Sequence, residues 1–234
     1  MVAQLVHLDS TPDLVERVYR VLLDAIVEGM LPAGARLTQE EIARRLAVSR
    51  QPVLQALRLL KADGLLLDAP GRGVLVAPLD GASIASVYEV RGALDVLAAR
   101  LAAGRRAVLD PALSERGRSA SRSCDVSALI DADAAFHTAI YAASCNPLIE
   151  QSAHVHWRHI RRAMGAVLQK SALRVTVWDE HEAIAAAIGC GDADLAARLM
   201  GEHDQRASEH ISRQLGLPDP MLVPFPRVAE GGHR

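Results

Sequence analysis

From Asp80 onward the chain reads as long, alanine-rich stretches of helical periodicity without a strand signal. Breaks fall near Gly104 to Pro111, Ser119 to Asp125, Asn146 to Pro147, Gln169 to Ala172 and Gly189 to Gly191, leaving about six helices. Aromatic residues make up 3% of the chain, so these helices must pack through Ala, Leu, Val and Ile at close approach, as an antiparallel bundle does. This half is therefore expected to be all-α, over residues 80–215.

The first eighty residues have a different texture. In "TPDLVERVYRVLLDAIVEG", Leu14, Val18, Val21, Leu22 and Ile26 recur at helical spacing, with Thr11 as N-cap, Pro12 in the first turn and Gly29 as stop. Thr38 to Glu41 spells T-x-x-E, the reciprocal capping box that opens a short second helix through "EIARRLA". Ser49 caps a third, "RQPVLQALRLLKADG", with Pro52 in its first turn and Gly64 at its end. Two apolar runs around Pro70, Gly71 and Gly73 read as a β-hairpin. Three helices and a hairpin, with a short turn before the third helix, describe a winged helix-turn-helix over residues 10–79.

Charge distribution agrees with a nucleic-acid partner. The chain of 234 residues carries a net charge of −2, yet Arg36, Arg44, Arg45, Arg50, Arg58 and Lys61 face only Glu40 and Glu41 between residues 36 and 61, an excess of about +4. Arg72 adds a cation at the hairpin tip. A 50% hydrophobic content supports a sizeable core. With no run of eighteen apolar residues and no signal-peptide pattern at the N-terminus, the reading is cytoplasmic, with no membrane partner. Cys124, Cys145 and Cys190 are odd in number and never paired as C-x-x-C, so they suggest neither a disulfide framework nor a thiolate metal site and read as small core fillers. The tail over residues 216–234, rich in Pro and Gly, reads as disordered.

The stretch "LTQEEIARRLAVSRQPVLQALRLLKADGLLLDAPGRGVLVAPL" resembles the DNA-binding domain of the GntR family of bacterial transcription regulators. That resemblance places Ser49, Arg50 and Gln51 at the start of the recognition helix and Arg72 and Gly73 in the wing. Arg50 is the leading candidate for a base contact, since a guanidinium can bridge O6 and N7 of guanine. Arg36, Arg44, Arg45 and Gln55 complete the candidate DNA surface. Where the family usually carries Arg-Glu, this chain has Leu54 and Gln55: Leu54 lies against a thymine methyl or faces protein, and Gln55 reads adenine or nothing.

In "DADAAFHTAIYAASCNP", Asp133 and His137 stand one turn apart beside a buried stripe of Phe136, Ile140 and Tyr141. Alone, such a pair is explained by a local hydrogen bond. His181, in "WDEHEAIAAAI", and His203, in "ARLMGEHDQ", sit beside apolar positions of later helices and read equally as satisfied core histidines. The texture of "YEVRGALDVLAARLAA", "DADAAFHTAIYAASCNPLIE" and "DEHEAIAAAIGCGDADLAARLMGEH" resembles the helical effector domain called FCD in the FadR-type branch of the GntR family. That resemblance implies that Asp133, His137, His181 and His203 are metal ligands. Three imidazoles and a carboxylate suit Zn, Ni, Co, Mn or Fe(II). It also implies that Arg91 meets the carboxylate of a small-molecule effector, against the alternative of a bundle-rim salt bridge to Glu89 or Asp95.

The expected protein is thus a homodimeric, ligand-responsive regulator of an inverted-repeat operator, keyed as a repressor, with an organic acid sensed at the metal. Two rivals remain: a bundle serving only dimerisation, and a metal-dependent hydrolase. Against the hydrolase, His181-Glu182 lacks the second histidine of H-E-x-x-H, and no nucleophile elbow or phosphate-cradling glycine loop is present.

Overall fold

The computed structural model describes residues 14–123, 125–168 and 176–215, and the chain divides into two compact units between Pro78 and Leu79. In the first unit, α1 (Leu14–Val27) buries Val18, Tyr19, Leu22 and Ile26. The aliphatic spacing placed Leu14 and Val21 on that face, but they are 38% and 50% exposed. Tyr19 tilts the buried stripe to its own side, so Val21 falls off the opposite edge. The Tyr19 hydroxyl donates to Asp63 at 2.5 Å and ties α1 to the end of the third helix.

Strand β1 (Arg36–Leu37) leads into α2 (Gln39–Arg45), where the Thr38 side chain accepts from the Glu41 N–H as the capping box requires. After a turn containing Ala47 at φ 51°, α3 (Arg50–Ala62) begins after Ser49, which stands at the N-cap position but makes no side-chain capping bond, and ends before Gly64 at φ 73°. Strands β2 (Leu66–Asp68) and β3 (Val74–Val76) form the hairpin. The sheet has the order β1-β3-β2, antiparallel throughout, with Arg36 opposite Leu75 and Leu67 opposite Leu75 from the other side. The two-residue β1 was not foreseen: it is too short to show alternation, and pairing with β3 creates it. The core joins Val18, Leu22 and Ile26 to Val53, Leu57, Leu60 and Val76.

The second unit contains α4 (Gly81–Gly104), α5 (Ala112–Ser123), α6 (Val126–Ala143), α7 (Pro147–Leu168), α8 (Val177–Cys190) and α9 (Ala193–Gln214). Asp80, Asp125 and Asp192 each cap a helix by accepting a backbone N–H three residues on. Helix α4 is central, packing on α6, α7, α8 and above all α9. Its Ala98, Ala99, Ala102 and Ala103 are wholly buried, which lets neighbouring backbones approach closely as the low aromatic content demands. Among the described residues no helix is long and apolar enough to cross a membrane.

Two cysteine readings are corrected: Cys145 and Cys190 are exposed, not core fillers. Both fall at helix ends, Cys145 at φ 51° just after α6 and Cys190 closing α8, where the chain turns outward. The expected caps Thr11 and Pro12, Cys124, the break at 169–172 and the tail 216–234 lie outside the described residues.

Gly117 of α5 sits against the Trp178 ring of α8 so closely that an added Cβ would overlap the indole. Gly117→Ala is therefore expected to overpack this contact and lower stability by about 1–3 kcal/mol, read as a lower urea midpoint at unchanged slope. An unchanged midpoint would show that α5 and α8 do not meet this closely.

Candidate metal centre and nucleic-acid interface

Helix α6 places Asp133 and His137 on one inward face; α8 contributes His181 and α9 His203, and all four are buried. One donor atom from each lies within 4.8 Å of the others. His181 Nε2 is 3.3 Å from His203 Nε2 and 3.5 Å from Asp133 Oδ1. Two donors sharing one ion at bonds of about 2.1 Å and a tetrahedral angle stand about 3.4 Å apart. The donor set and its spacing thus fit a divalent transition metal.

The imidazoles are oriented from behind. Asp95 Oδ2 lies 3.1 Å from His137 Nδ1, and Glu180 Oε2 lies 2.9 Å from His203 Nδ1, which leaves the His203 Nε2 facing His181. Phe136 stacks on His181 with centroids 4.1 Å apart. Burial holds His137 and His203 below the usual imidazole range, and the neutral form is the one that ligates.

Arg91 of α4 is 2% exposed. Its Nη2 sits 2.8 Å from Asp95 Oδ2, 3.3 Å from Asp204 Oδ1 and 3.0 Å from both His137 ring nitrogens, while its Cζ lies 4.3 Å from the Trp157 ring centroid. Of the two salt-bridge partners read from sequence, Asp95 is the one met; Glu89 is exposed, and the pair occupies the interior rather than the rim. Tyr141 donates to Asp95 and in turn accepts from Trp157 Nε1 at 3.2 Å. Burial would raise the Asp95 carboxyl, but Arg91 and His137 outweigh it and hold it below the usual carboxylate range. Burial and the Asp95 charge push Asp204 the other way.

A cavity of about 40 Å³ adjoins the cluster, lined by Arg91, Asp133 and His203 on its polar side and by Met164, Leu168 and Ile211 on its apolar side. Arg91 Nε is buried without a hydrogen-bond partner among the described residues. His210 is half-buried and lines this cavity. Asp204, Glu180 and the Tyr141 hydroxyl were missed as members of the site. The i, i+4 spacings of Arg91 with Asp95 and of His137 with Tyr141 were the available signals.

In the first unit, Ser49, Arg50, Gln51 and Gln55 are exposed on α3. A groove between α3 and the hairpin is lined by Arg50, Leu54, Arg58, Lys61 and Arg72. Leu54 is half-buried there, and Arg58 and Lys61, both counted in the basic excess of the sequence, line the same groove together with Glu40 and Asp68, Lys61 being paired with Asp68 at 2.5 Å. Arg50 is loosely paired with Glu40 at 3.4 Å, Arg45 with Glu41 at 2.6 Å, and Arg44 is exposed. Arg36 is directed at the hairpin, donating to the carbonyls of Pro70 and Arg72. Gly73, at φ 95°, meets β1 so closely that any Cβ would strike the Leu37 carbonyl.

Residues 14–76 match the family of bacterial regulatory proteins, gntR family, and residues 86–206 match the FCD domain. The chain is 28% identical over 221 residues to an HTH-type transcriptional regulator in an unstable DNA locus of Streptomyces ambofaciens, covering 90% of this chain and 92% of that one. It is 27% identical over 184 residues to the "Probable D-xylose utilization operon transcriptional repressor" of Paenarthrobacter nicotinovorans, covering 76% and 80% respectively. Among solved structures, E. coli McbR/YncC shares the fold with a TM-score of 0.72 at 22% identity, over 86% of this chain and 98% of that one. A GntR transcriptional regulator from Rhodococcus sp. RHA1 does so at 0.70 and 23%, over 88% and 99%. The chain belongs to the GntR family of bacterial DNA-binding transcription regulators, with an FCD domain that fits the FadR subfamily, and is not an enzyme.

Proposed function

We propose that this regulator senses a small organic acid at a divalent metal held by Asp133, His137, His181 and His203, and that binding of the acid releases operator DNA. The observation that carries this reading is the convergence of four buried donors beside a cavity that Arg91 also lines. An ion of Zn, Ni, Co, Mn or Fe(II), when bound, supplies a Lewis-acidic position for an anionic oxygen. Arg91 offers a charge-assisted N–H toward the same cavity, and Met164, Leu168 and Ile211 exclude water from it. The small volume favours a compact carboxylate. A cytoplasmic location, where the DNA is, is part of the same proposal.

Operator recognition is assigned to Ser49, Arg50, Gln51 and Gln55 on α3, with Arg44 and Arg45 on phosphates and Arg72 and Gly73 in the wing. A single winged helix reads few base pairs, so we take the active form as a homodimer on an inverted repeat. The Paenarthrobacter relative is named a repressor, and repression relieved by effector is the sign adopted here. Linkage requires that a hundredfold loss of DNA affinity, about 2.7 kcal/mol, be matched by an equal loss of effector affinity on DNA.

Elemental analysis of purified protein is expected to find about one divalent transition ion per chain. His181→Ala is expected to lose that ion and, in calorimetry with small carboxylic acids, the binding heat of wild type. Equal metal content in variant and wild type would refute the centre, and equal acid affinity would make the metal purely structural.

Arg50→Ala is expected to cost about 1–3 kcal/mol of discrimination between operator and random duplex, whereas Arg44→Ala weakens both alike. Mobility shifts on the two duplexes measure this. Undiminished operator preference in Arg50→Ala would mean that another side chain reads the bases.

A further inference from the structure

Arg72 lies between Gly71 at φ 86° and Gly73 at φ 95°. Glycine has the widest conformational freedom of any residue, so this tip is intrinsically loose. Across its base a single backbone bond, Ala69 N–H to the Gly73 carbonyl at 3.3 Å, closes the loop. Arg36 reaches the tip from β1. Its Nε donates to the Arg72 carbonyl at 3.1 Å, and its Nη2 donates to the same carbonyl at 2.5 Å and to the Pro70 carbonyl at 3.0 Å. The guanidinium spans the residues on either side of Gly71, and its own strand is held in register opposite Leu75 of β3.

We propose that Arg36 is a positioning residue, a clamp that fixes the wing tip so that the Arg72 side chain is presented to the DNA backbone, and that Arg36 itself makes no DNA contact. The proposal rests on the reading of the wing as a DNA-contacting element. A planar guanidinium can bind two carbonyls at fixed separation, and a lysine ammonium cannot reproduce that fork although it keeps the charge. The two roles open to Arg36 therefore respond differently to Arg36→Lys. A phosphate contact survives as a point charge; a clamp does not.

The test uses full-length protein in two arms. In the first, hydrogen exchange of the free protein is followed at the Ala69 amide, whose bond to the Gly73 carbonyl closes the loop. Arg36→Lys and Arg36→Ala are both expected to accelerate exchange there about tenfold while leaving the amides of α3 unchanged. In the second, a random-sequence duplex is titrated at several salt concentrations. Arg72→Ala and Arg36→Lys are each expected to weaken binding about three- to tenfold and to lower the salt slope by about one; their combination should be no weaker than Arg72→Ala alone. Unchanged tip exchange in Arg36→Lys, retention of wild-type affinity by Arg36→Lys, or additive losses in the double variant would each overturn the clamp. If Arg72→Ala binds the duplex like wild type, the DNA-contacting wing fails instead, and the exchange arm alone decides whether Arg36 holds the tip.

Discussion

The ion pair of Arg91 with Asp95, one turn apart on the central helix of the bundle and both removed from water, is the interaction on which the interior of the FCD domain depends. Taking two charges out of water is expensive, and removing one partner of such a pair costs about 3–5 kcal/mol because the other is left buried and unbalanced. Here the cost is offset by distributing contacts. Asp95 also meets His137 and the Tyr141 hydroxyl, Tyr141 meets Trp157, and Arg91 lies over the Trp157 ring and reaches Asp204. The alanine packing of α4 complements this arrangement, because close helices bring short polar side chains within reach of one another without leaving voids.

The same ion pair sets the chemistry of the neighbouring centre. Asp95 orients His137 and Glu180 orients His203, so two of three imidazoles are aimed by carboxylates belonging to other helices. Glu180 is paired in turn with Arg206 on α9, 3.2 Å away, which connects the histidine cluster to an exposed charge. Arg91 itself lines the neighbouring cavity, with its Nη2 committed to Asp95 and Asp204.

Periodicity and capping rules made much of this fold legible. Thr38, Ser49, Gly64 and the glycine-bearing hairpin marked the winged helix, and the apolar spacing around His137 and His181 showed which faces turn inward. Leu14 and Val21 were misplaced because counting aliphatic residues ignores how one aromatic, Tyr19, tilts a stripe. Strand β1 was invisible because a two-residue strand is defined by its partner. Within the site, the four donors were separable from ordinary core histidines only through the resemblance of their helices to the FCD domain, since convergence of three helices is a tertiary fact. The roles of Asp204, Glu180 and the Tyr141 hydroxyl were illegible for the same reason. Arg36 illustrates the converse: its charge was counted toward a basic surface, but its direction, toward the Pro70 and Arg72 carbonyls, depends on the pairing of β1 with β3.

Three imidazoles and one carboxylate, in the proposed centre, hold one divalent ion. X-ray absorption spectroscopy of the metal-loaded protein tests it most directly, because imidazole rings give a distinct outer-shell scattering pattern and thiolates a longer first-shell bond of about 2.3 Å. The account predicts a first shell of nitrogen and oxygen alone at about 2.0–2.2 Å with outer-shell scattering from about three imidazoles. A sulfur scatterer, or a shell with fewer than two imidazoles, would contradict it.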